Sequence, residues 1–255
     1  MTYTTVDLAG KVALVTGGSR GIGAAIARRL ARDGAAVAVT YNASPEKAEA
    51  VVREIEAAGG RALAVRADSA DVGAVRNAVA TTVETFGGID VLVNNAGILV
   101  HGTVDQYSID DFDRMVAVNV RAVFVAVQEA ARHLKPGGRV INIGSMVADR
   151  TGFPGASVYG MTKAAVASLT RGLAHTLGVA AGKLRADEAA IAVLRGTSEN
   201  PAVHRVWGCR EGRRRAEIGQ SREIGRVNEH WRDRRVGVVC RIGGTIGGEK
   251  DRRRV

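Results

Sequence analysis

Residues 11–32 read KVALVTGGSRGIGAAIARRLAR, and three kinds of text succeed one another within them. Lys11–Thr16 (KVALVT) is a short, β-branched apolar run, as expected of a strand buried on both faces. Gly17-Gly18-Ser19-Arg20-Gly21-Ile22-Gly23 is a glycine-rich turn, and Ala24–Arg32 has helical spacing. Strand, glycine turn and helix in that order make a phosphate-binding loop. The glycines let the backbone turn tightly and approach a pyrophosphate, and the free N–H groups and positive dipole end of the helix then face the anion. The spacing is G-x-x-x-G-x-G rather than G-x-G-x-x-G. A glycine cluster by itself also serves as a plain turn; its place between a strand and a helix points to a nucleotide.

The chain continues in the same alternation. Ala36–Tyr41 (AVAVTY) reads as a second strand. An acidic residue at its end would bind an adenosine ribose 2′-hydroxyl, but the strand runs out in Thr40-Tyr41-Asn42 with no carboxylate before Glu46. Arg20 can instead meet a 2′-phosphate, which favours NADP(H) over NAD. Pro45–Ala58 is an amphipathic helix with proline at its start, and Arg61–Arg66 is a third strand. Asp68, just beyond it, can accept from an adenine amino group or cap the helix that starts near Asp71; spacing favours the cap. Val72–Phe86 is helical. Ile89–Val93 is a fourth strand and leads into Asn94-Asn95-Ala96-Gly97, a polar turn at the strand end where an open α/β sheet places its ligands.

Asp110–Leu134 has the spacing of one long helix with Asn119 among apolar neighbours. A buried amide must find partners, so Asn119 is a structural plug or part of a site. Pro136-Gly137-Gly138 interrupts the chain, Arg139–Gly144 (RVINIG) is a fifth strand, and Ser145 follows at its carboxyl end. A last helix, 156–178, carries Tyr159 and Lys163 four residues apart and so on one face. An ammonium beside a phenol favours the phenolate and lowers the tyrosine pKa from about 10 toward working pH, which suits a general acid/base. Alternating strands and helices predict a doubly wound, mostly parallel sheet of the Rossmann type. Right-handed crossovers bring the glycine loop, Asn94, Ser145 and the Tyr159 helix to one sheet edge.

Length and composition agree with that architecture. At 255 residues and 46% hydrophobic, the chain suits one soluble α/β domain or two small ones. The opening text, with Asp7 and no basic-then-apolar run, does not read as a secretory signal, and no apolar run is long enough for a membrane span, so a cytoplasmic protein is expected. His101, His133 and His175 are scattered, and no metal-ligand spacing is present. The net charge of +10 is unevenly spread. Residues 1–178 hold 18 Lys+Arg against 16 Asp+Glu, while residues 179–255 hold 18 against 10, together with both cysteines and both tryptophans.

The motifs together resemble the short-chain dehydrogenases/reductases, in the branch with 3-oxoacyl-[acyl-carrier-protein] reductases. The matching text is TGGSRGIG (16–23), NNAG (94–97), the Asn119 helix, IGS (143–145) and YGMTK (159–163), over about residues 8–178. The resemblance implies an NADP(H)-dependent oxidoreductase that moves a hydride between nicotinamide and a ketone or secondary alcohol. By it, Tyr159 is the general acid, Lys163 lowers the pKa of Tyr159 and bonds the nicotinamide ribose, Ser145 orients the substrate oxygen, and Asn119 holds a water on the proton relay. It places Gly17, Gly21 and Gly23 around the pyrophosphate, counts Ser19 and Ile22 of the same loop among the cofactor-binding residues, and sets Arg20 and Asn42 near the 2′-phosphate. Asp68 falls near the adenine, Asn94 near the second ribose, and Ala96 and Gly97 along the cofactor. It also implies a homo-oligomer, a dimer or tetramer, through the helices near 110–134 and 156–178.

After Gly178 the resemblance stops. The family continues into a sixth strand ending in Pro-Gly and a substrate lid; here Pro201 is the lone later proline. The Arg-rich text of residues 179–255 reads as a shifted frame, with Val236–Gly244 a faint echo of a seventh strand. Without a sixth and a seventh strand the nicotinamide pocket would lose a wall. A different class of function, a silent nucleotide-binding protein with a basic polyanion-binding tail (Arg213–Arg215, Arg252–Arg254), follows if the tail has a role. Nucleic acid is not the expected partner, because the tail has neither zinc spacing nor an aromatic platform.

Overall fold

The computed structural model describes residues 7–150, 153–179 and 189–192. The elements run β1 (Val12–Val15), α1 (Gly21–Arg32), β2 (Ala36–Tyr41), α2 (Pro45–Ala57), β3 (Arg61–Arg66), α3 (Val72–Phe86) and β4 (Ile89–Asn94). Then follow α4 (Ile109–Val116), a π-helical turn (Ala117–Arg121), α5 (Ala122–Ala130), β5 (Leu134–Ile143), α6 (Ser157–Val179) and β6 (Ala189–Ala192). The strands form one parallel sheet in the order β3-β2-β1-β4-β5-β6. The order reverses beside β1, so the crevice of the doubly wound sheet opens above β1 and β4.

Because strand side chains alternate, the sheet buries two faces. Ala13 and Val15 pack with Val37, Val39 and the α1 and α2 residues Ala24, Ala27, Leu30, Val51 and Ile55. Leu14 and Ala38 face the other way, against Val75 and Val79 of α3 and Val125, Ala126 and Val127 of α5. At the amino ends of the strands, the buried Asp90 carboxylate accepts from the Val12 N–H at 3.0 Å and the Lys11 ammonium at 3.2 Å. A cleft of about 640 Å³ lined by Lys11, Arg28, Arg61 and Phe86 also lies at these amino ends, away from the glycine loop.

Four local expectations are corrected. The helix expected over 110–134 ends at Ala130 and is split by the π turn, in which the Ala122 N–H bonds to the Ala117 carbonyl. A π turn inserts one extra residue into the helical ladder and marks functional positions in many helices. Pro136-Gly137-Gly138 does not precede β5 but lies within it. Leu134 pairs with Ile89, the register shifts before Val91, and Gly137 takes φ +84°. The cap of α3 is Asp71, whose carboxylate accepts from the Gly73 and Ala74 N–H groups at 2.7 and 3.1 Å. Asp68 instead closes a short turn on the Ala70 N–H at 2.9 Å.

The fourth correction concerns the expected loss of the sixth strand. Ala189–Ala192 pairs in parallel with Val140–Ile143, covering the outer edge of β5. The sheet therefore extends past Gly178. The readings for the seventh strand, the lid, the cysteines and the arginine clusters fall outside the described residues.

Candidate active site

The glycine loop is held from beneath by three side chains. The Thr40 hydroxyl, 2% exposed, accepts from the Gly17 N–H at 2.9 Å. Thr16 Oγ1 accepts from the N–H groups of Asn95 and Ala96 at 3.0 and 3.1 Å. Asn95 Nδ2 donates to the carbonyls of Thr16 and Gly17, both at 3.0 Å. The loop is thus sewn to the ends of β2 and β4. Gly17 has φ +64°, and a Cβ on Gly23 would overlap the Gly17 carbonyl oxygen and lie 2.5 Å from Asn95 Nδ2. Glycine is required at both positions, one for its backbone and the other for the close approach.

The loop ends at the amino terminus of α1, where Arg20 is the N-cap residue. No side chain caps this helix and its first turn holds no acidic residue, so its N–H groups and positive end stay available to an anion. Arg20, Ile22 and Asn42 are exposed around it, and Ser19 is half-buried. This arrangement fits a dinucleotide phosphate by the shape of its backbone and by its charge.

Asn94 and Asn95 divide the work expected of one residue. The Asn94 amide is buried and donates to Asn142 Oδ1 at 2.8 Å, and Asn142 Nδ2 donates to Thr170 Oγ1 at 2.8 Å. This amide ladder ties β4 and β5 to α6. The Nδ2 of Asn94 is thereby committed to the sheet. Asn95, read from the sequence only as part of the polar turn and given no contact of its own, is the side chain that faces the loop.

Ser145, Tyr159, Lys163 and Asn119 converge at the ends of β4 and β5. The Ser145 hydroxyl lies beside the Tyr159 phenol, close enough to favour its ionised form; Ser145 Oγ accepts from the Val147 N–H at 3.3 Å. Lys163, 6% exposed, donates from Nζ to the Ile143 carbonyl at 2.8 Å, and its Nζ lies 5.7 Å from the Tyr159 ring centroid. A Cβ on Gly97 would stand 3.4 Å from Asn119 Oδ1 and 3.7 Å from Lys163 Nζ, so the NNAG turn, the π turn and α6 meet there. The preceding chain is fixed by the Gly102 N–H bonding to the Gly155 carbonyl at 3.2 Å, just before α6.

The electrostatics differ from the expectation. Burial raises the Tyr159 phenol above its usual range, and the Ser145 hydroxyl opposes this only in part. Burial also lowers Lys163 from 10.5 to about 8. The predicted lowering of Tyr159 by Lys163 is absent because the ammonium is aimed at a backbone carbonyl and is itself disfavoured by desolvation. Asn119 also differs. Its Nδ2 donates to the Ile98 carbonyl at 2.9 Å and to Thr162 Oγ1 at 3.1 Å, while Oδ1 accepts from the Ile98 N–H at 2.9 Å. Both amide N–H groups are used, so a water held by residue 119 must bond elsewhere on it. Among the described residues no His/Cys/Asp/Glu cluster could hold a metal, and no helix is long and apolar enough to cross a membrane.

Known proteins are similar to this chain over about two thirds of its length. An uncharacterized oxidoreductase of Methylorubrum extorquens is 46% identical over 170 residues, 67% of this chain and 68% of that protein. A versicolorin reductase of Emericella nidulans is 46% identical over 171 residues, 67% of this chain and 65% of its own length. A short-chain dehydrogenase of Burkholderia cenocepacia, solved in complex with NADP, superposes with a TM-score of 0.66 at 60% identity, over 67% of this chain and 70% of that one. The chain thus spans about two thirds of the length of such relatives. The family model described as short chain dehydrogenase matches residues 11–186. With the parallel sheet, glycine loop and Ser-Tyr-Lys cluster in place, this chain belongs to the short-chain dehydrogenase family of oxidoreductases.

Proposed function

We propose that the protein is an NADP(H)-dependent carbonyl reductase acting on a ketone, of the 3-oxoacyl type, or in reverse on a secondary alcohol. The observation that carries this reading is the Tyr159 phenol beside the Ser145 hydroxyl and 5.7 Å from the Nζ of the buried Lys163, at the sheet edge that also holds the glycine loop. Residues 17–23 would bind the pyrophosphate through backbone N–H groups and the α1 dipole, with Arg20 and Asn42 at the 2′-phosphate and Asp68 at the adenine. Ala96, Gly97 and the main chain of Asn94 would follow the cofactor, and Lys163 would bond the nicotinamide ribose. NADPH bound there supplies the hydride; the residues of the chain handle the proton.

A phenol raised by burial stays protonated at neutral pH and is therefore poised as a donor. Tyr159 gives its proton to the carbonyl oxygen as charge develops there, and the Ser145 hydroxyl holds that oxygen within reach of the phenol. Lys163, titrating near 8, exchanges protons easily near neutrality and can return one to Tyr159 through the residue 119 turn. We also infer a homo-oligomer through α4–α5 and α6, whose surfaces leave Phe124 45% and Met161 42% exposed.

The test is NADPH and NADH oxidation with a panel of simple ketones and 3-oxoacyl thioesters. Faster turnover with NADPH supports the reading, and equal rates with NADH overturn the cofactor assignment. Tight NADPH binding with no turnover across the panel would identify a silent nucleotide-binding protein instead.

A further inference from the structure

Thr162 stands between the two segments that carry the proposed proton machinery, yet the mechanism above gives it no part. It is 0% exposed. Its hydroxyl donates to the Tyr159 carbonyl at 2.8 Å and accepts from Asn119 Nδ2 at 3.1 Å. The Asn119 amide in turn grips both backbone groups of Ile98 at 2.9 Å. One hydroxyl therefore joins α6 to the π turn and, through it, to the turn that follows β4.

Helix geometry gives that bond its leverage. At about 100° per residue, Thr162 lies roughly 60° to one side of Tyr159 and Lys163 roughly 40° to the other. An anchor at Thr162 therefore opposes rotation of α6 about its axis. That rotation would carry the Tyr159 phenol away from Ser145 and the Lys163 ammonium away from the Ile143 carbonyl. The hydroxyl is also the acceptor that keeps the second Asn119 N–H satisfied in a buried place, so its loss disturbs both sides of the contact.

We propose that Thr162 is a positioning residue, whose hydroxyl sets the rotation of α6 against the π turn and thereby holds Tyr159 at Ser145. The effect on turnover rests on the carbonyl reductase reading, whereas the geometric coupling does not.

The test compares Thr162→Val, nearly isosteric without the hydroxyl, with Thr162→Ser, which keeps it, in the full chain. The first readout is the near-ultraviolet difference titration of tyrosine, with the Tyr159 component assigned by its absence in Tyr159→Phe. In Thr162→Val the Tyr159 transition moves to higher pH, because separation from Ser145 removes the hydroxyl that favours phenolate; Thr162→Ser restores it. The second readout is kcat for NADPH-dependent reduction, which falls about 10- to 100-fold in Thr162→Val, the scale of a small misplacement of reacting groups. NADPH affinity changes less than about 3-fold, since the glycine loop is untouched. Thr176→Val, which removes an exposed hydroxyl bonded to the Gly172 carbonyl on the same helix, leaves both readouts unchanged. A Thr162→Val protein that is less stable but titrates and turns over like the wild type overturns the proposal. Should that variant not fold, Thr162→Ala takes its place, and a Tyr159 transition equal to that of Thr162→Ser overturns the proposal as well. If the wild type has no turnover, the carbonyl reductase reading fails while the titration still decides the role of Thr162.

Discussion

Gly23→Ala isolates the close packing on which the glycine loop depends. The added methyl would overlap the Gly17 carbonyl oxygen and lie 2.5 Å from Asn95 Nδ2. Neither neighbour is a flexible side-chain end, because Asn95 is fixed by bonds at 3.0 Å to the carbonyls of Thr16 and Gly17. Overpacking of this kind costs about 1–3 kcal/mol. Displacing Asn95 to relieve it forfeits two hydrogen bonds at about 1 kcal/mol each. A loss of about 2–4 kcal/mol is therefore expected from urea unfolding, read as a lower midpoint at unchanged slope. NADPH binding, followed by its fluorescence, weakens at least about 10-fold because the backbone N–H groups no longer converge. Gly21→Ala is the comparison: its φ of +54° carries a strain of about 1–2 kcal/mol, but a Cβ there meets nothing within 4 Å. Equal unfolding midpoints for the wild type and Gly23→Ala, with undiminished NADPH affinity, would refute the reasoning.

Other perturbations address other parts of the account. Asn142→Ala removes the centre of the amide ladder, stranding Asn94 Nδ2, and should lower stability by about 2–4 kcal/mol in denaturant titrations. Arg20→Ala should weaken NADPH binding by about 10- to 100-fold, the worth of a charge-assisted contact, and leave NADH binding nearly unchanged in parallel titrations. Lys163→Met should make the protein more stable at pH 7 by about 2 kcal/mol, the roughly 3 kcal/mol relieved by removing a buried charge less about 1 kcal/mol for the lost bond to the Ile143 carbonyl. Burial depresses the folded-state pKa from 10.5 to about 8, so the unfolded chain binds the extra proton between those values and the wild type is penalised below them. That penalty is relieved as pH rises from about 8 toward 10.5, and the gap between variant and wild type should close over that window in thermal melts.

Much of this architecture is legible in the sequence because its signals are local. KVALVT, AVAVTY and the run Ile89–Val93 are β-branched text between helices, and the structure keeps them as strands at nearly the expected bounds. The glycine loop and the Tyr159–Lys163 pair follow from spacing on one turn or one helix face. What escapes is set by contacts between distant segments. Nothing in NNAG distinguishes Asn94, drawn into the sheet by Asn142, from Asn95, which faces the loop. Thr162 reads as an ordinary helical residue until Asn119 is placed across from it. The π turn falls in the valine- and alanine-rich run 116–127, where apolar residues occupy nearly every face, so the inserted residue leaves no periodic signal. β6 carries no strand signal of its own, because its alanine-rich text favours a helix by propensity, while the open edge of β5 supplies unpaired backbone groups that override it.

The direction of the pKa shifts could not be read from spacing at all. A tyrosine and a lysine one turn apart suggest a lowered phenol, but burial acts on both groups, and the Ile143 carbonyl captures the ammonium. The site as described favours a protonated phenol, the form a reductase needs.

The most direct test of the central claim is NADPH oxidation by the wild type and Tyr159→Phe, measured side by side on the carbonyl panel. Turnover is expected in the wild type and a loss of at least about 100-fold in Tyr159→Phe, with NADPH affinity kept. A variant that reduces the same ketones at the wild-type rate would contradict it.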